Sequence, residues 1–389
     1  MDHVRVKRNY FQWLNLLFVG WLMISKSGAS ADENCSNPRK FVVCYYGAWA
    51  TYRTGNGKFD IKDIDASLCT HINYAFATLN NQSYEMESHD SYYDVDRRGY
   101  LNFTDLKQNN TKLQTMLALG GWTDSNDGTN KYAVMVADAS KRKNFIDKAV
   151  TFLRKYNFDG LDIDWEYPTD KANFAVLITE LRTVFDNYNL TLSIAMGAGK
   201  KHIKSAYDFS VLCEHLDFIN VMTYDFHGPW ESVTNHHTNI KNLRRTYRLL
   251  KRRGGCIDRM VVGMAAYART FQLTDPAKNS TGAPCSGAGD AGPFTQEKGF
   301  LAYNELCESK YSDYNKKYDK AAKTNYLVKG NQWITYDDRA TIRIKSGWAA
   351  RKGFLGAMIW ALDLDDFRDE CGAGHFPLLK AINRKMRPG

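Results

Sequence analysis

The chain has 389 residues, enough for one large or two ordinary domains and for a sizeable core without covalent staples. At 44% apolar and 24% charged it has globular composition, which excludes wholesale disorder, collagen and coiled coil. Set aside the first 31 residues, where Arg5, Lys7, Arg8 and Lys26 face only Asp2. The formal charge of +9 then shrinks to 48 Lys and Arg against 42 Asp and Glu, too small an excess to demand a nucleic-acid partner.

Those first residues read as an address. A basic start, an apolar run over 11–24 and the small residues Ala29-Ser30-Ala31 form the pattern of a secretory signal peptide, 1–31. The run is short for a bilayer span, which needs ~20 apolar residues, and no later stretch is longer. Secretion to an oxidising compartment agrees with 8 cysteines and with N-glycosylation sequons at Asn34, Asn81, Asn102, Asn109, Asn189 and Asn279. No cysteine or histidine cluster has metal-site spacing, and His236-His237 reads as a solvated pair.

Downstream, short apolar runs recur at 41–47, 70–77, 113–119, 160–164, 190–196, 218–223, 260–265 and 354–360. Most lack strict alternation, as expected of parallel strands buried on both faces. Amphipathic helical patterns lie between them. Phe145, Ala149, Phe152, Leu153 and Tyr156 make one stripe behind a candidate N-cap at Ser140, and Phe174, Leu177, Ile178, Leu181 and Phe185 make another. Eight such units predict an α/β fold, a (β/α)₈ TIM barrel. A doubly wound sheet is the alternative, but no GxGxxG follows the first strand. The basic segment 241–253 has Ile240, Leu243, Tyr247 and Leu250 beneath it, so it reads as a core-facing helix with a solvated face. The segment 268–339 is too long for a plain βα loop and reads as an inserted subdomain walling a cleft.

The chemistry concentrates in Asp159-Gly-Leu-Asp-Ile-Asp-Trp-Glu-Tyr-Pro168. In a strand, alternate side chains share a face, so Asp162, Asp164 and Glu166 point one way and Leu161, Ile163 and Trp165 the other. Three partly desolvated carboxyls ~7 Å apart repel one another when ionised, which raises their pKa values and keeps a proton on the group near neutral pH. The outermost carboxyl then has what a general acid for a glycosidic oxygen needs. Two readings compete: a buried acidic network closing the barrel, and a divalent-cation site of oxygen ligands. The first is costly for packing alone, and no second acid or histidine cluster completes the shell of the other.

The pattern Asp159-x-x-Asp162-x-Asp164-x-Glu166 resembles the signature of glycoside hydrolase family 18, the chitinases and chitinase-like lectins. Gly120-Gly121-Trp122 resembles that family's GGW, and Met222-Thr-Tyr224-Asp225 its MxYD. Tyr267-Ala-Arg269 resembles its Tyr-x-Arg, and Trp360 the tryptophan under the cleaved sugar. The motifs arrive in family order over nearly the whole chain after the leader, and the family carries a small α+β insertion in the same place.

The resemblance implies a retaining hydrolase of β-1,4-linked N-acetylglucosamine polymers. Glu166 is then the acid and later the base, Asp164 the partner of the substrate acetamide, and Asp162 its proton-sharing neighbour. Tyr224 and Asp225 hold the acetamide, whose carbonyl attacks the anomeric carbon in place of an enzyme nucleophile. Trp360 floors the sugar, while Trp122, Tyr45, Trp49, Phe76 and Trp230 line adjacent subsites; core packing competes at each aromatic. The resemblance further implies disulfides Cys44–Cys69 and Cys307–Cys371, leaving Cys35, Cys213, Cys256 and Cys285 with three possible pairings. It implies no cofactor and no metal, and chitin and chitooligosaccharides as partners, without nucleic acid or a membrane once the leader is cleaved. The chain is expected to be a secreted, extracellular monomer of the animal type without a chitin-binding tail. Two departures stand out: Ala118 replaces a serine common before GG, and Met196-Gly197-Ala198 is unusual wording. The alternative functions are a chitin-binding lectin without turnover, and an enzyme cutting other N-acetylglucosamine linkages.

Overall fold

The computed structural model describes residues 40–388. The leader reading, Asn34 and Cys35 lie outside the described residues. Among the described residues no helix is long and apolar enough to cross a membrane.

Eight parallel strands close on themselves. They are β1 (Phe41–Gly47), β2 (His71–Leu79), β3 (Gln114–Gly120), β4 (Gly160–Asp164), β5 (Thr191–Gly197), β6 (Phe218–Met222), β7 (Met260–Ala265) and, after an insertion, β14 (Gly356–Trp360). Each pairs with its neighbour in sequence, and β1 pairs with both β2 and β14, so the eight-stranded barrel closes; the short segment Met86–Ser88 adds an antiparallel strand to the end of β2. This is the TIM barrel, and the doubly wound alternative is excluded by closure.

The strands are buried along almost their whole length, on both faces, as parallel barrel strands are. Helices cover the outside. Helix α1 (Ala139–Lys155) buries Phe145, Ala149 and Leu153, and α2 (Lys171–Phe185) buries its whole predicted stripe. The cap of α1 is Asp138, not Ser140. Its carboxylate accepts from the backbone N–H groups of Ser140 and Lys141, which makes Ser140 the second residue of the helix. Two further helices, α3 (Lys200–Ser205) and α4 (Ile240–Arg252), pack side by side.

After β7 the chain builds a second, antiparallel sheet. Its strands are β8 (Tyr267–Leu273), β9 (Cys285–Ala288), β10 (Phe300–Ala302), β11 (Asn315–Asp319), β12 (Thr324–Lys329) and β13 (Gln332–Tyr336). Their order is β9-β8-β13-β12-β11, with β10 also on β8. Phe271, Leu273, Val328 and Trp333 give it a small core of its own. Helix α5 (Arg339–Arg351) then returns the chain to the barrel, and α6 (Pro377–Met386) packs against α5.

The structure joins Cys44 to Cys69, Cys307 to Cys371 and Cys213 to Cys256, and leaves Cys285 buried and free among the described residues.

Candidate active site

Strand β4 carries the acids. Asp162 pairs in register with Ala118 of β3 and Ser193 of β5. Asp162 and Asp164 are almost wholly buried inside the barrel, whereas Leu161 and Ile163 fill the layer under the helices. The strand ends at Asp164, so Glu166 stands just beyond it, half-buried at the barrel mouth. The short helix Gly121–Ser125 after β3 fixes its backbone: the Glu166 N–H donates to Ser125 Oγ at 2.9 Å, and Asn126 Nδ2 donates to the Glu166 carbonyl at 3.2 Å.

Asp162 is saturated with donors. Tyr45 Oη donates to it at 2.6 Å, Ser193 Oγ at 2.6 Å and Asn220 Nδ2 at 3.0 Å. Asp164 lies nearer the mouth, and its buried Oδ1 has no hydrogen-bond partner. Burial raises the pKa of Asp162, against the three donors. Burial first, then the charges of Glu166 and Asp162, push Asp164 well above the usual carboxylate range. Burial lifts Glu166 from 4.5 to about 7, with Tyr167 opposing through a hydrogen bond. Three acids thus share one column, each raised by burial, and the outermost is lifted to about 7.

The GG pair is dictated by crowding at this point. Gly120 has φ +112° and a Cβ on it would lie 2.5 Å from the Asp164 carbonyl oxygen; Gly121 has φ +79° and its Cβ would meet the Phe76 ring at 2.6 Å. Trp122, next in line, is 63% exposed at the rim.

A second side of the cleft forms from Met222 at the end of β6 and Tyr224 and Asp225 beyond it, all half-buried. Arg269 of β8 grips Asp225 at two points, Nε to Oδ1 at 2.8 Å and Nη2 to Oδ2 at 2.7 Å. Burial alone raises the Asp225 carboxyl; Arg269, with His237 behind it, overrides that and holds it well below the ordinary range. The Tyr224 phenol is pushed well above 10 by burial, so it stays a donor. Tyr267 is not on the surface: it is 2% exposed, edge-on to Tyr224 and stacked on Phe300 at 4.7 Å. Arg269 lies over the rings of Tyr267, Phe300 and Trp230, each between 5.3 and 5.4 Å.

The aromatic floor joins distant segments. Trp360 ends β14 and stacks on Phe76 at 5.8 Å; Phe76 stacks on Trp49 at 6.0 Å. Non-proline cis peptide bonds follow Ala75, Glu166 and Trp360. Trp49 and Trp230 are exposed and Trp360 half-buried. Tyr45 differs: at 1% exposure it lies beneath Trp360 and offers no stacking face to solvent. Asp159 stands at the opposite end of β4, tied to Thr115 and Lys107.

The sequence reading of His236-His237 as solvated is wrong: both are fully buried. His236 Nδ1 meets Thr335 Oγ1 at 2.7 Å, and His237 Nδ1 lies 3.5 Å from Asp225. Their segment runs under the insertion, which no local pattern announces. The reading also missed Ser193, Asn220, Ser125 and Asn126. For the first two a signal existed: each is a polar residue inside an otherwise apolar strand. Among the described residues, no group of three or more His, Cys, Asp and Glu is arranged to hold a metal ion.

Comparison with known proteins agrees with this geometry. The profile of "Glycosyl hydrolases family 18" matches residues 41–365. "Probable chitinase 10" of Drosophila melanogaster is 40% identical over 369 residues, 89% of this chain but only 16% of that much longer protein. The crystal structure of Ostrinia furnacalis Group IV chitinase in complex with allosamidin is 40% identical with a TM-score of 0.84, covering 88% of this chain and 98% of that one. Human YKL-39, described as a pseudo-chitinase with retained chitooligosaccharide binding, is 33% identical with a TM-score of 0.82, covering 89% of this chain and 99% of that one. The match spans the barrel, the acid column and the insertion alike, and the chain belongs to glycosyl hydrolase family 18.

Proposed function

We propose that this chain is a secreted chitinase, its leader 1–31 removed, that hydrolyses β-1,4-linked N-acetylglucosamine polymers with retention. The observation that carries the reading is the acid column: Glu166, lifted to about 7 by burial, stands above Asp164 and Asp162 at the mouth of the barrel. A protonated Glu166 gives its proton to the glycosidic oxygen as the bond to the anomeric carbon breaks. The acetamide carbonyl of the same sugar forms the new bond to that carbon, so an oxazolinium ion replaces a glycosyl-enzyme. Asp164 accepts from the acetamide N–H and opposes its positive charge, while Tyr224 and Asp225 hold the acetamide in line. Glu166, now a carboxylate, takes a proton from water as that water opens the ring from the face the leaving group left. Two displacements give net retention.

Trp360, Phe76 and Trp49 form a continuous row that supports the stacking of successive sugar rings. The lectin reading keeps the row but has no use for a carboxyl held near 7.

The test is digestion of N-acetylglucosamine hexamer by wild type and Glu166→Gln, with products and anomers separated by chromatography. Short β-anomer products from wild type, and a loss of about 10²–10⁴ in turnover with binding kept in the variant, are expected. Binding without products from wild type would replace the enzyme by a lectin.

A further inference from the structure

Beyond the first 31 residues, the positive excess of this protein has one address. The segments 199–206 and 239–254 contain ten Lys and Arg and no Asp or Glu. Without those ten, the 52 basic residues of the chain become 42, against 43 acidic ones. Outside the first 31 residues, 48 basic residues face 42 acidic ones; without the ten only 38 remain, so the positive excess there resides on α3, α4 and their ends.

The fold gathers these residues on one surface. Thr246 Oγ1 of α4 donates to the Ala198 carbonyl before α3 at 3.0 Å, and Arg253 Nη2 after α4 reaches the Lys204 carbonyl at 3.5 Å. On α4, Ile240, Leu243, Thr246 and Leu250 face inward and are buried. Every exposed residue of the helix is Lys or Arg. Lys241, Arg245, Arg248 and Arg252 recur at i, i+4, i+7 and i+11, which sets them in one stripe opposite the core, roughly 16 Å long at 1.5 Å per residue. None of the ten forms a salt bridge, although other lysines and arginines of the chain do.

Unpaired like charges at i, i+3 and i+4 repel one another and weaken a helix. A string of anions laid along the stripe would relieve that repulsion. Guanidinium forks pair at two points with sulfate or carboxylate groups. The surface carries no exposed apolar residue to enter a bilayer and no exposed aromatic to stack on a base, so it reads charge and spacing alone. We propose that the joined α3–α4 face is a docking surface for a linear sulfated polysaccharide, on the outer side of helices whose inner side reaches the cleft where His202 of α3 packs on Tyr167, the neighbour of Glu166, at 3.8 Å. It tethers the enzyme to an anionic matrix while the mouth of the barrel remains open. The assignment is independent of the cleavage reaction.

The experiment measures binding of a heparin octasaccharide to the full protein by calorimetry across a salt series. Alongside wild type are two triple variants with equal change in net charge: Arg245→Glu/Arg248→Glu/Arg252→Glu on the stripe, and Lys62→Glu/Lys112→Glu/Lys320→Glu at exposed sites elsewhere. The stripe variant is expected to lose about 100-fold or more in affinity and to show a flatter dependence of log Kd on log salt, since fewer counterions are released. The scattered variant should stay within about threefold of wild type. Turnover of the N-acetylglucosamine hexamer should be unchanged in both, which also shows that both are folded; if wild type lacks turnover, circular dichroism and thermal melting serve instead. Equal losses in the two variants would reduce the effect to net charge and overturn the site. No binding by wild type at physiological salt would overturn it too. Equal or tighter binding of a duplex DNA of matched charge would move the surface to nucleic acid and overturn the polysaccharide assignment.

Discussion

The phenol of Tyr45 donates to Oδ2 of Asp162 at 2.6 Å, joining the first barrel strand to the fourth across 117 residues of sequence. With Ser193 and Asn220 it occupies the acid that Ala118 faces in register. The donor that a serine at 118 would bring is thus already supplied from three other strands.

Ala118→Ser should therefore give no gain. Position 118 is fully buried, and a hydroxyl added where Asp162 already has three donors must find room and a partner. Hexamer turnover is expected within about threefold of wild type, with stability lower by about 1–2 kcal/mol in urea unfolding. A tenfold rise in turnover would mean that the proton network is incomplete without Ser.

The acid column fixes the pH response. Glu166 must be protonated to serve the leaving oxygen, so kcat should fall about tenfold per unit above pH 7. The stability effect has a definite sign. A carboxyl raised from 4.5 to about 7 in the folded protein prefers its neutral form there. It costs nothing below 4.5, and the cost grows as pH rises toward 7 and stays constant above. Glu166→Gln removes that cost, so thermal melting should show the variant more stable than wild type at pH 8 and equal to it at pH 4.

Arg269 and Asp225 form a pair that Lys cannot copy. The guanidinium makes two parallel bonds and lies among three aromatic rings, and an ammonium offers a single point charge. Arg269→Lys should lower kcat about tenfold or more with a smaller change in KM, because Asp225 loses its orientation rather than its charge. An unchanged kcat in steady-state assays would take Asp225 out of a positioning role.

The Cys213–Cys256 bridge lies outside the cleft and closes a separation of 43 residues. Loop-closure entropy for that span amounts to about 4 kcal/mol. Replacing both cysteines by serine should lower unfolding stability by about 2–4 kcal/mol and leave turnover unchanged at 25 °C. Equal loss of turnover at that temperature would place the bridge in the service of the site.

The sequence by itself determined the barrel and the column of acids, for one physical reason: strand geometry is local. Apolar runs of the right length and a period of two are properties of adjacent residues, and they set Asp162 and Asp164 on the interior of β4 wherever that strand packs. The basic face of α4 was legible on the same ground, from a period of 3.6. Tertiary structure decided everything that joins distant segments. It seats Arg269 on Asp225 from 44 residues away and brings the Tyr45 phenol to Asp162. It also moved the cap of α1 back to Asp138, drew His236 and His237 beneath the insertion and sank Tyr45 under Trp360. Burial of a polar group depends on which remote segments close over it, and no window of neighbouring residues contains that information.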